Sequence, residues 1–559
     1  MSDPHSTEAE SPSPADRAAE PAAALDPRRR RLLGLAAMSA ALAAACGGGG
    51  GGSPSPAPPP PPPPAPPPPV VPVDGPPWLG FARNAQHSAL SGIASLPLTR
   101  LIWSAAVDLA PPYNNGALLA HYGSPVITRY NTVLVPIKIS GGTTAGFRVE
   151  ARIGANGQMV WSLDSDYRLP PYNWVPAFNL AQAPDGPLLI PDSGGRLLLR
   201  EDPDNASGAQ RHAVFYGEAA YDAAPATFDA TVFINTPLTT DSQGNVFFGF
   251  VVTGANPAGL TGGGIARIGA DGVATWVSAA TAAADATITK AAMNSAPALS
   301  VDERTLYVVL NNVPAPGARA VGRLLALNAD TLAVLTRRVL LDPLTGAPSW
   351  VSDNATSSPL VGPDGDVYIG VLESNPPAHG FRGWLLHFDA ALTTLRTPGS
   401  FGWDNTPSIV PRAMVPQYVG PSSYLLCAKY NSYGGTGPAG DGRHRVAILD
   451  PNQTQVDAPF SGATVMREII SILGITPDPN WPGGVKEWCI NTAVVDPFTS
   501  SVLMNSEDGI LYRWHLPTNA FTESLPLNNG YAQSYTPTAI GPDGRVYTVN
   551  NARLFSVGV

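Results

Sequence analysis

The chain has 559 residues and a net charge of −10, yet only 14% of its residues are charged, against roughly 25% in an average soluble domain. A hydrophobic content of 44% supports a packed core and excludes a wholly disordered chain, and the acidic balance gives no basis for binding nucleic acid or an anionic membrane surface. The 56 glycines and 61 prolines point to many tight turns between short strands.

Residues 1–46 read as an export signal. Arg28–Arg31 precede an apolar run from Leu32 to Ala45, too short for a bilayer-spanning helix, which needs about 20 residues. Arg29-Arg30-Arg31-Leu32-Leu33-Gly34 resembles a twin-arginine signal without the usual Ser/Thr before the pair. Ala43-Ala44-Ala45-Cys46 resembles a bacterial lipoprotein cleavage site, with Ala43 where Leu is commonest. That resemblance implies a lipid on Cys46 and a periplasmic or outer-membrane lipoprotein, on either face, held to the membrane through its lipid alone. The simpler alternative is an ordinary secreted protein. Residues 47–77, six glycines and then a proline tract, read as a disordered linker, part flexible and part polyproline II rod.

From residue 78 onward one unit repeats. Strand starts fall at Ser124-Pro125, Val175-Pro176, Thr236-Pro237, Ala296-Pro297, Ser358-Pro359, Thr406-Pro407, Thr492-Ala493 and Thr536-Pro537, eight in all. Proline suits the first residue of a strand, where no ladder bond is lost. The third copy shows the unit whole: a first strand after Thr236, the apolar run 246–252, GGIARIG, an Asp271-Gly272 turn and ATWVSA. Four short strands per copy make the blade of a β-propeller. The last copy stops after its third strand, while Leu98–Ser104 reads as an orphan outer strand. The expected fold is therefore all-β: a single eight-bladed β-propeller spanning 78–559, closed by an N-terminal strand.

The repeats, the turn-then-Trp endings at 154–161 and 269–276, and the opening Trp78-x-x-Phe81-x-x-Asn84-x-Gln86-His87-Ser88 resemble the quinoprotein (PQQ-like) repeat family. The resemblance covers about 78–559 and implies that Trp103, Trp161 and Trp276 dock adjacent blades. The enzymes of that family hold PQQ with calcium, sandwiching the quinone between a Trp floor and a ring of two adjacent, disulfide-bonded cysteines. Here Cys46, Cys427 and Cys489 are the only cysteines. No Cys-Cys pair can form the lid, and no Cys-x-x-Cys-His attaches a haem. No cofactor, metal ligand or catalytic residue is assigned. Cys427 and Cys489, on neighbouring copies, either bridge that seam in an oxidising compartment or stay as buried thiols.

Two features could bind. Asn173, Asn235, Asn294, Asn354, Asn405 and Asn491 precede the inner strands. They form either a polar ring at a channel mouth or local turn closures. Aromatic loops carry Tyr167, Tyr172 and Trp174, and Trp481 and Trp488; these either meet a carbohydrate or partner protein or pack on the rim. Residues 466–488 between copies six and seven are expected to form a short helix and then a loop. The sequence thus points to a monomeric cell-envelope lipoprotein whose propeller binds or scaffolds an envelope protein or carbohydrate. The alternatives are a PQQ- or calcium-dependent oxidoreductase with an atypical site, or a carbohydrate-binding surface propeller.

Overall fold

A computed structural model describes residues 73–559 apart from 115–116, 119, 141–145, 171–177, 315–318, 354–356, 434–439 and 529–533. The leader, Cys46 and most of the linker lie outside the described residues. So do Tyr172, Asn173, Trp174 and Asn354.

The repeats fold as eight blades around a ring. Blade three matches the unit read from its sequence. Its second strand, Val246–Val252, is buried at every position, and Gly263–Ile268 and Ala274–Ser278 follow outward. A strand inside a ring of blades is covered on both faces, so its sequence is continuously apolar rather than alternating. The outermost strands Val334–Val339 and Ala520–Pro526 alternate instead between half-buried and exposed side chains. Gly272, Gly365, Gly509 and Gly544 close the Asp-Gly turns at positive φ, where a Cβ is disfavoured.

Blade eight takes Ala539–Ile540, Val546–Asn550 and Arg553–Gly558 from the C-terminal end and Arg100–Ala106 from the N-terminal end. Arg100 pairs with Gly558 and Ala106 with Arg553 in an antiparallel ladder. Closing the ring between distant parts of the chain leaves that strand pair no free seam. Blade six departs from expectation. Thr464–Leu473 is not helical but a ten-residue strand paired with Arg445–Val456. Ile469, Ile470 and Ile472 are β-branched and favour the pleated surface.

Between the linker and the closing strand, residues 78–96 circle one end of the channel. Trp78 pairs with Ile127 of blade one, and Leu79 O accepts from Gln182 N of blade two. Ala85, Gln86 and Ser88 carbonyls then accept from Leu299, Val361 and Ile409 of blades four, five and six. Ala89 and Ser91 bond Val495 of blade seven, and Leu96 N donates to Gly544 O of blade eight. The segment is a plug stitched to the inner strands almost blade by blade. Ala82, Arg83, His87 and Ala89 have positive φ, the strain of keeping a short path within reach of each blade. Val73 and Gly75 already bond Arg129 and Pro542, so the ordered body begins a few residues before 78.

Candidate functional site: the channel end opposite residues 78–96

The inner strands run from the opposite mouth towards the plug, and at their starts the blades are cross-bonded. Ser358 N donates to Thr406 Oγ1 (2.9 Å), Ser295 Oγ to Ser357 O (2.8 Å), Ala296 N to Ser358 Oγ (2.9 Å) and Thr406 N to Asn491 O (3.0 Å). Ser358 and Thr406, and Thr536 through Tyr122 O, thus serve the neighbouring blade, whereas the Thr236 hydroxyl bonds within its own. These hydroxyls supply bonds where the following proline has no N–H to offer.

The asparagines sit within this belt. Asn235 Nδ2 donates to Ala291 O at 2.9 Å, Asn405 Oδ1 accepts from Lys429 N at 3.1 Å, and Asn491 Nδ2 reaches Asp404 at 3.4 Å. Asn294 N donates to Asn235 O. Asn235 Oδ1 and Asn405 Nδ2 keep no protein partner. Asn179 plays the matching part in blade two, accepting from Ser124 N at 2.9 Å. Asn179 lies after Pro176 and so falls outside the Asn-before-Pro pattern of the other blades.

Buried charge gathers at this mouth, mainly in blades six and seven. Lys429, at the end of the second strand of blade six, lies 3.9 Å from Asp404 with both side chains almost fully buried. Its ammonium also faces the rings of Phe401 (5.7 Å) and Tyr535 (6.0 Å), and His121 stacks on Tyr535 with centroids 4.6 Å apart. Tyr433 Oη (2.8 Å) and Asn431 Nδ2 (3.2 Å) donate to Glu487. Cys489 Sγ donates to Glu507 at 2.7 Å.

Burial governs the protonation of this cluster. It raises Asp404 to about 7 against the opposing pull of Lys429, and it raises Glu487 against the same pull. Burial, reinforced by Lys429, lowers His121 to about 3, so the imidazole is neutral. Burial and then the Glu507 charge push the Cys489 thiol well above its ordinary value. Carboxyl groups desolvated beside one ammonium share protons rather than all ionise. Donor atoms of Glu487, Cys489 and Glu507 lie within 4.8 Å of one another. A metal there would first have to displace protons that burial holds in place.

The remaining sequence candidates separate. Trp103 docks blade eight on blade one, its Nε1 donating to Gly154 O at 2.9 Å. Trp161 docks blade one on blade two through Pro203 O at 2.7 Å and the Arg200 guanidinium at 4.0 Å. Trp276 does not match this pattern. It is 40% exposed and touches Phe250 of its own blade, because the outer strand of blade three is followed by the helix Ala279–Ala283, which covers the adjoining face. Tyr167 and Trp488 are buried in the core, whereas Trp481 is 38% exposed. Cys427 and Cys489 are separate buried thiols and not a disulfide. Cys427 packs in the blade-six core, while Cys489 faces Glu507.

No protein-family model and no curated protein matches the sequence. Solved structures do. A europium-containing methanol dehydrogenase superposes with a TM-score of 0.51 over 85% of this chain and 89% of its own, at 10% identity. The chain shares the propeller fold of that methanol dehydrogenase. The quinohemoprotein alcohol dehydrogenase ADHIIG of Pseudomonas putida HK5 gives 0.46 at 12% identity, over 86% of this chain and 76% of its own. BamB from Moraxella catarrhalis gives 0.32 at 10% identity, over 84% and 97%. At such identities the likeness concerns the fold alone.

The quinone sandwich of that fold does not fit these residues. The thiols are 62 positions apart and occupied separately. Nor does a thiol among two carboxyls form the all-oxygen set that calcium takes.

Proposed function

We propose that the protein is an exported, lipid-anchored binding module whose propeller presents the channel end opposite residues 78–96 to a partner in the cell envelope. The observation that carries this reading is the asymmetry of the ring. One end is plugged by residues 78–96, and the other gathers buried charge inside a rim with exposed apolar side chains. Leu109 (57% exposed) and Val313 (67% exposed) stand on that rim, beside the ends of the second strands of blades one and four. Exposed apolar groups around a polar centre suit a protein partner. Lipid on Cys46 supplies the anchor, since among the described residues no helix is long and apolar enough to cross a membrane.

The test has two arms. Cys46→Ser is expected to move the protein from the membrane fraction to the soluble fraction. A photo-crosslinking residue at Leu109 or Val313 is expected to capture one defined envelope protein, and the same residue at Val419, in the blade-six turn on the plugged side, is not. Equal capture from both sides would defeat the proposed orientation. Stoichiometric retention of PQQ with calcium would instead favour the oxidoreductase reading.

A further inference from the structure

Beside the mouth, between blades five and six, lies a cavity of about 230 Å³ that the belt and the Lys429 cluster do not use. Part of its wall is Arg382, which is 1% exposed. Arg382 Nε donates to Ser400 O at 2.9 Å and Nη1 to Asn431 O. The third nitrogen, Nη2, has no partner. The guanidinium carbon sits 3.9 Å from the centre of the Phe460 ring and 4.4 Å from that of Tyr430, and both rings also line the cavity. Asp457, a buried carboxylate that also lines the cavity and feels the Arg382 charge, is engaged with His379 Nε2 at 3.0 Å and Ser461 at 2.7 Å.

Asp457 offsets part of the Arg382 charge, but Nη2 makes no hydrogen bond, and a buried donor left unbonded gains by turning toward an added acceptor. Arg443 and Arg445 reach the same space two residues apart, and neither forms an ion pair among the described residues. The opposite character is present too. Asp441, Gln455 and Glu468 line the cavity as acceptors. With Asp457, the carboxylates Asp441 and Glu468 balance the three arginines, so a carboxylate ligand has its place on the arginine side only, while the opposite side accepts hydroxyl hydrogens. The volume falls below the roughly 300–1,000 Å³ of pockets for drug-sized ligands, room for one sugar ring. At the rim the half-exposed Trp481 donates to Asp441 O at 3.2 Å and lies against Gly442, offering an indole face to a neighbouring ring.

The geometry points to a subsite for an acidic sugar, a uronate unit whose carboxylate meets Arg382, Arg443 and Arg445. Its ring lies on Phe460 and Tyr430, and its hydroxyls face Asp441, Gln455 and Glu468. Calorimetric titration of the purified protein with a galacturonate trimer, maltotriose and inorganic phosphate tests this. The trimer is expected to bind, with affinity falling at least tenfold in Arg443→Gln and Arg445→Gln and severalfold in Trp481→Ala. Maltotriose and phosphate are expected to show no saturable binding. Arg443 is exposed and Arg445 half-buried, so these variants should keep the wild-type melting temperature even where Arg382→Gln fails to fold. Absence of trimer binding, equal binding of maltotriose, binding of phosphate alone, or unchanged affinity in both arginine variants would each overturn the assignment. Crosslinking at Leu109 reads the mouth separately, so failure here leaves the envelope-partner proposal standing.

Discussion

His87 provides a quantitative check on the plug. It is buried, its ring packs edge-on against Phe81 at 5.0 Å, and Nδ1 lies 2.7 Å from Pro359 O of blade five. Nδ1 must carry the hydrogen, because a carbonyl can only accept. Nε2 is buried with no partner. Burial therefore lowers the pKa from 6.5 to about 4, with the Pro359 bond opposing. A depressed folded pKa means that the stabilisation is complete above the unfolded pKa of 6.5 and is lost as pH falls through 4. A gap of this size is worth about 3 kcal/mol at ~1.4 kcal/mol per unit, most of it lost by pH 4.5. His87→Asn removes the titration while keeping an amide donor and tolerating the positive φ of 60°. It forfeits the Phe81 contact at every pH, about 1 kcal/mol. Guanidinium unfolding followed by tryptophan fluorescence at pH 8 and pH 4.5 gives the wild-type-minus-variant difference. That difference should be positive at pH 8 and fall by about 2–3 kcal/mol, changing sign, at pH 4.5. A difference that does not change with pH would show that His87 is solvated and that the plug does not seal this end.

Asp404 should behave in the opposite sense. Its raised pKa of about 7 makes its stabilising contribution complete below the unfolded value of 3.8 and lost as pH rises through 7. Asp404→Asn should gain on wild type by about 2–3 kcal/mol between pH 5 and pH 8.5 in the same unfolding assay. Trp103→Ala should cost about 2–3 kcal/mol, because it opens the seam where the ring closes, while Trp276→Ala should cost less than about 1 kcal/mol; melting temperatures compare them. In protein lacking residues 1–46, Cys427, raised to about 12, and Cys489 should resist a thiol reagent at pH 8. Both should react once unfolded in guanidinium without reductant, whereas a disulfide would leave none to react.

The ring was legible because propeller repeats place the same chemistry at the same point of each turn. Ser/Thr-Pro marks the cross-bonded belt, Asp-Gly marks hairpins that need positive φ, and unbroken apolar runs mark strands covered on both faces. The orphan strand before residue 106 was visible for the same reason, since it completes a count of four. The blade-six strand at 464–473 was misread as helix because an Ile-rich run between a charged pair and a Gly fits both periods. Trp276 was misread because a shared turn-then-Trp pattern fixes where the indole sits on its strand, not what covers it. The Lys429 cluster left little trace. Lys429, Asp404, Glu487, Cys489, Glu507, His121 and Tyr535 come from four blades and the loops between them, so nothing in their spacing joins them. The plug carried a motif, Trp78 to Ser88, but its bonds go to residues as much as 450 positions away, which local reading cannot supply.

The attachment of residues 73–75 to the turns at Arg129 and Pro542 fixes more than the start of the ordered body. Those turns lie at the plugged end, so the chain leaves the ring on the side away from the Lys429 cluster. Under the proposed lipid anchor at Cys46, the ring would face the bilayer with its sealed base and point its charged end away from it. The same stitching that seals the base would carry any pull on the linker into the inner strands of most blades together, spreading the load around the ring instead of peeling one edge.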